Sequence, residues 1–184
     1  LYCYNCDDGS FVNNTISGQD DGYVEYGMEL RESEDISVTD NTILGFWDRG
    51  IDVNSSERSV VMNNTISDTN KQGNYRNESY VMGIRFESMS NNILEQLTIR
   101  HNNIYVTGSS DINGMRGMNA LVDSNTVTVV SDGGWGQGIC ANYSRIFDNT
   151  VYGIWNGNGR GIESWANSAY PSTVMRNTVY ALGN

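Results

Sequence analysis

Of the 184 residues, one is proline, one is lysine and one is histidine. A single proline leaves strands uninterrupted, and with 20 glycines the chain is suited to many tight turns. The lone lysine, Lys71, and a net charge of -11 speak against nucleic acid and anionic membranes, whose contacts need Lys and Arg. No run approaches the ~20 apolar residues that a membrane-spanning helix needs. His101 has no second histidine to pair with at a metal spacing. No second Cys-x-x-Cys follows Cys3 and Cys6, so that pair does not make a zinc site. No Gly-Lys-Ser/Thr follows Gly133-Gly134 or Gly157-Asn158-Gly159, so these are turn residues and not a phosphate loop. There is no signal peptide and no initiator Met, and we expect a module of something longer.

What is present is a phrase, Asn-Thr-Ile or Asn-Thr-Val. Its first residues are Asn14, Asn41, Asn64, Asn125, Asn149 and Asn177, and Asn102-Asn103-Ile104 keeps the frame with Asn in the Thr place. The steps between copies are 27, 23, 38, 23, 24 and 28 residues. Three residues before every copy stands an apolar residue, from Phe11 to Val174, and two residues after it stands another, from Ile16 to Val179. Most of these are β-branched and favour strands. Steps of this size indicate stacked repeats. The Asn separates two short strands and tolerates the backbone of a bend. Stacked one rung apart, ~4.8 Å, Asn amides can donate and accept along a column.

A second phrase, Gly followed by Ile or Met, begins at Gly27, Gly50, Gly83, Gly114, Gly138 and Gly161. Each repeat then has a Gly-bearing strand, a loop, a strand leading to the Asn, and a strand after it. This pattern resembles the right-handed parallel β-helix of the pectate lyase-like superfamily, in its generic Asn-laddered form. The resemblance covers nearly the whole chain. The expected fold is all-β: one parallel β-helix (solenoid) of about seven coils with three short strands each, a single module over 1–184. The coils are expected at 1–16, 17–43, 44–66, 67–104, 105–127, 128–151 and 152–179. Loops are expected at Gln19 to Glu25, Thr69 to Ser79 and Glu87 to Glu95, and Asn54-Ser55-Ser56 reads as a polar corner.

Strand side chains alternate, so the residue after each Gly-Ile or Gly-Met faces outward. That column is Glu29, Asp52, Arg85, Arg116, Cys140, Glu163. The resemblance implies that this face is where relatives carry their sites. Glu29, Asp52, Arg85 and Arg116 are the candidate catalytic residues, holding a divalent cation such as calcium and a uronate sugar, or acting as acid and base. Against catalysis, the column lacks the clustered Asp of a lyase or hydrolase of this fold, and Asp52 beside Arg85 reads as an ordinary exposed ion pair. Trp47, Trp135, Trp155 and Trp165 are candidates for carbohydrate or partner contact. Cys3 and Cys6 read as a structural disulfide pinning the first coil, or as a link to another segment. Sequons occur at Asn13, Asn54, Asn63, Asn77 and Asn142, about as many as this Asn-rich composition yields by chance.

The expected function is that of a non-catalytic extracellular or cell-surface module, a building block of a fibre, appendage or filament. Its partners would be copies or segments of the same protein, stacked end to end. No cofactor or metal is required, with calcium the one candidate. A polysaccharide lyase or glycoside hydrolase fragment acting on acidic polysaccharide, and a carbohydrate-binding module, are the alternatives. The fold hosts all three.

Overall fold

The computed structural model describes residues 1–18, 24–67, 80–89, 96–109 and 111–183, apart from the side chains of Val24, Trp47, Tyr80 and Gly183. Three parallel sheets of seven strands wind as a right-handed β-helix, with no helix among the described residues. The first sheet holds Tyr2–Tyr4, Val24–Arg31, Phe46–Asn54, Tyr80–Glu87, Asp111–Met118, Gly136–Asn142 and Gly159–Glu163. The second holds Ser10–Val12, Ser37–Thr39, Val60–Met62, Leu97–Arg100, Ala120–Asp123, Arg145–Phe147 and Thr173–Met175. The third holds Thr15–Ser17, Thr42–Leu44, Thr65–Ser67, Asn103–Gly108, Thr126–Ser131, Thr150–Trp155 and Thr178–Gly183. Each coil contributes one strand to each sheet, and the expected seven coils are present.

The apolar places of the repeat phrase line the bore. Val38, Val61, Ile99, Val122 and Ile146 form one buried column, and Ile43, Ile66, Ile104, Val127 and Val151 another. Phe11 and Ile16 of the first coil are partly buried against them. Burying each of these aliphatic side chains stabilises the fold by on the order of 1.5–3 kcal/mol.

The ladder Asn residues are bonded in an unbroken series. The Nδ2 of Asn14, Asn41, Asn64, Asn102, Asn125 and Asn149 each donates to the Oδ1 of the next, at 2.9 to 3.0 Å. The same Oδ1 also accepts the backbone N–H of the preceding Asn, as in Asn102 N to Asn125 Oδ1 at 3.0 Å. Asn102 Nδ2 further donates to Val61 O and Arg100 O. The buried amides of the ladder are thereby paired, which offsets the cost of burying them.

The bend itself is made elsewhere than expected. The left-handed residue at each corner is the one before the ladder Asn: Asn13, Asp40, Asn63, His101, Ser124, Asp148 and Arg176, with φ between 53° and 57°. Its own side chain is not needed in the ladder, so the corner accepts varied residues there. The ladder Asn keeps an ordinary backbone while its amide reaches across coils.

A second polar corner is built from serines. Ser33, Ser59 and Ser144 are buried. Each hydroxyl accepts a backbone N–H from the preceding coil, of Cys6, Ile36 and Ala120, and donates to a carbonyl two residues back in its own chain. Each serine thus repeats two of the ladder Asn bonds, the N–H received from the preceding coil and the donation to its own carbonyl, without the side-chain column. The Asn54-Ser55-Ser56 corner holds, with Ser55 left-handed and Ser56 buried.

The two repeat phrases touch one another. A Cβ on Gly27 would strike the Cγ2 of Ile43, the branched residue of its own coil, and lie 2.6 Å from Gly50 O. Gly50, Gly83, Gly114, Gly138 and Gly161 meet Ile66, Ile104, Val127, Val151 and Val179 in the same way. Glycine is therefore required where the first strand passes closest to the third. The first strands run longer than expected, so Glu25 and Glu87 lie in strands. Ser88 and Met89 lie outside the strands as expected, and the remaining expected loop residues 19–23, 69–79 and 90–95 fall outside the described residues.

Candidate functional site

Strand register brings Glu29, Asp52, Arg85, Arg116, Cys140 and Glu163 into one column on the outer side of the first sheet. Their environments differ from the open charge row expected. Asp52 is wholly buried, and its two oxygens are taken by Arg49 and, at 3.0 Å, by Arg85. The expected exposed Asp52–Arg85 pair is thus a covered three-residue cluster. Arg49 closes it because the strand from Phe46 carries a second outward position three residues before Asp52. Such a carboxylate is costly to leave unpaired.

The other carboxylates are engaged as well. Glu29 pairs with Arg31, Glu87 with Arg85 at 3.1 Å, and Glu163 with Arg160. Glu163 also accepts Gln137 Nε2 at 2.7 Å and Trp165 Nε1 at 3.0 Å. Among the described residues no three His, Cys, Asp or Glu gather as a metal site. A hard cation needs several free oxygens, and here each carboxylate already faces an arginine, so the donor set does not fit calcium.

Arg116 is different. It is exposed, and among the described residues no carboxylate pairs with it. It stands in a cleft of about 660 Å³ on this face, walled by Met82, Phe86, Glu87, Met118 and Trp165. Cys140 lies in the same cleft as a buried free thiol. Burial, and secondarily Glu163, pushes its pKa up, which keeps it a poor nucleophile. The cleft can hold an anionic group against Arg116 with an apolar face against Trp165.

The tryptophans separate into unlike cases. Trp165 is 63% exposed and suits contact. Trp155 is 6% exposed, and its ring fills the space left open at Gly136, Gly153 and Gly159. Its expected role in surface contact is therefore corrected to a packing role, made available by three missing side chains. Trp135 is half-buried under Arg160, whose guanidinium lies 4.9 Å from the ring centroid. The Trp47 side chain is outside the described residues. Three glycines around one tryptophan were the available sequence signal, but they come from three different strands.

Cys3 and Cys6 are joined as a disulfide in the first coil. Of the sequons, Asn13 and Asn63 are exposed at left-handed corners. Asn54 is half-buried and accepts the Ser55 hydroxyl, and Asn142 Oδ1 accepts Trp165 N. Asn77 lies outside the described residues.

Comparison with known proteins gives one finding. No curated protein and no solved structure matches the chain. Residues 1–95, just over half its length, match the family described as "Right handed beta helix region". With three parallel sheets around a continuous asparagine ladder, the chain belongs to the right-handed β-helix family.

Proposed function

We propose that the chain is a non-catalytic β-helix module, a rigid building block of an extracellular or cell-surface fibre. The observation that carries this reading is the direction of the ladder. Every rung donates from Nδ2 and N to the Oδ1 of the rung after it. A further coil in register, from more of the same protein or from another copy, would accept from Asn177 at one face and donate to Asn14 at the other. Head and tail faces are thus complementary and not alike, which is the arrangement that extends into filaments. Val174 and Val179 continue the two core columns at 46% and 43% exposure, and would be covered by such a coil. The pairing of the outer-face carboxylates with arginines supports the absence of catalysis, and the Cys3–Cys6 disulfide supports an oxidising setting.

The test is electron microscopy with light scattering of the purified protein across concentration. We expect rods that lengthen with concentration and shorten in Val179→Asp. Monomers at all concentrations, together with cleavage of pectate or alginate, would overturn the reading.

A second reading, binding of an acidic saccharide without turnover, is favoured by Arg116, which no carboxylate among the described residues pairs, in the cleft that Trp165 also lines. It expects polyuronate oligomers to bind, with EDTA having no effect and Arg116→Gln weakening binding about tenfold. Equal binding by Arg116→Gln would remove it.

A further inference from the structure

From the fourth coil onward the third sheet doubles in width. Its strands have three residues at Thr15–Ser17, Thr42–Leu44 and Thr65–Ser67, and six residues at Asn103–Gly108, Thr126–Ser131, Thr150–Trp155 and Thr178–Gly183. The widened part has three outward rows in register. The first row presents amide and hydroxyl groups: Asn103, Thr126, Thr150 and Thr178. The second presents phenols and one more hydroxyl: Tyr105, Thr128, Tyr152 and Tyr180. The third is mostly aliphatic: Thr107, Val130, Ile154 and Leu182. None of these positions is buried and none carries a charge. The outer side of the first sheet, by contrast, is crowded with Arg and Glu pairs.

We infer that this face of the third sheet is a docking surface for an uncharged, extended β-linked polysaccharide. Three considerations select that occupant. With a net charge of -11 overall and no arginine or lysine in its three rows, this face offers nothing to hold a polyanion, and a neutral partner approaches it at no electrostatic cost. The face measures roughly 20 Å on a side, about 400 Å², which is half of the ~800 Å² per partner that a stable protein interface takes. A second copy is therefore a poor fit, and a narrow ribbon a good one. The chemistry is also mixed in the way a sugar ribbon is, with hydroxyls beside C–H faces. Tyr105, Tyr152 and Ile154 are 41%, 42% and 43% exposed within the coil stack. Tyr152 and Tyr180 stack on each other at 5.1 Å with 9° between their planes, so their hydroxyl edges are held in line. Among the described residues no protein group bonds those hydroxyls. Aromatic rings held this way offer contact at little further cost in side-chain entropy. This surface is separate from the Arg116 cleft, and its occupant does not depend on end-to-end stacking.

The test is depletion of the purified protein from solution by insoluble cellulose and by insoluble chitin. We expect retention on at least one of them, unchanged between about 0.05 and about 1 M salt because no charge is involved. Tyr152→Asp and Ile154→Lys each place a charge at an exposed position, and each should lower retention about tenfold at unaltered melting temperature. If one variant unfolds, the other decides. The inference is overturned by absence of retention on both polysaccharides, by retention that salt abolishes, by equal retention of a folded variant, or by a dimer that the variants dissociate in place of retention.

Discussion

Asn102 sits at the middle of the ladder and departs from the phrase only in its neighbour, Asn103. Its amide donates to Asn125, Val61 and Arg100, and its Oδ1 receives both the backbone and side-chain N–H of Asn64. Replacing it by Ala leaves several buried groups unpaired at once. Asn102→Ala should lower stability by about 2–4 kcal/mol in urea denaturation, more than any single ordinary hydrogen bond is worth. Asn103 is exposed and stands where every other copy has Thr, so Asn103→Thr should be neutral or raise stability by a few tenths of a kcal/mol. The ladder was legible in the sequence because amides at one repeat frame are a local pattern. The serine corner was not, because Ser33, Ser59 and Ser144 do not share one frame relative to the Asn phrase. The left-handed corner falls one residue before the Asn that the phrase suggests. Asn, Asp, His, Ser and Arg all occur there, and no single residue type marks it.

At the scale of the strand, the Gly column and the branched column hold each other in place. Gly114 is the clearest case, since an added Cβ would meet Val127 of its own coil and lie 2.7 Å from Gly138 O of the next. Neither backbone nor branched side chain can move aside cheaply, so Gly114→Ala should cost about 1–3 kcal/mol by overpacking. Gly133, with nothing near the same added atom, should accept Ala at little cost, and a thermal melt of both variants checks the contrast. The existence of both phrases was readable from spacing. Their contact was not, since 11 to 19 residues, among them a whole strand of the second sheet, separate them in the chain. The same limit explains Asp52 and Trp155. Alternation gives the side of the sheet, but coverage depends on what neighbouring strands contribute: Arg49 and Arg85 in one case, three glycines in the other.

Over the whole molecule, charge pairs cross between coils. Arg58 and Arg176 hold the Asp35 and Asp148 carboxyls below the usual range through direct hydrogen bonds. A depressed carboxyl stabilises the fold above its unfolded value, about 4, and that contribution is lost as pH falls through the folded value. Burial pushes Asp48 up, which acts in the opposite sense: its stabilisation is largest below the unfolded value and is lost as pH rises through the folded one. Melting temperature should therefore decline below about pH 4, with Asp148→Asn showing a shallower decline than the parent protein. An identical pH profile for Asp148→Asn would remove the inter-coil pair from the account.

The coils are stacked in register by one directed amide column, and side-chain hydrogen exchange examines that column itself. Two-dimensional NMR in heavy water should show the amide protons of Asn41, Asn64, Asn102, Asn125 and Asn149 persisting together. They should outlast those of Asn13 and Asn63 at the exposed corners by orders of magnitude, since only opening of the stack releases them. Loss of all asparagine side-chain signals at the rate of a free amide would contradict the stacked ladder.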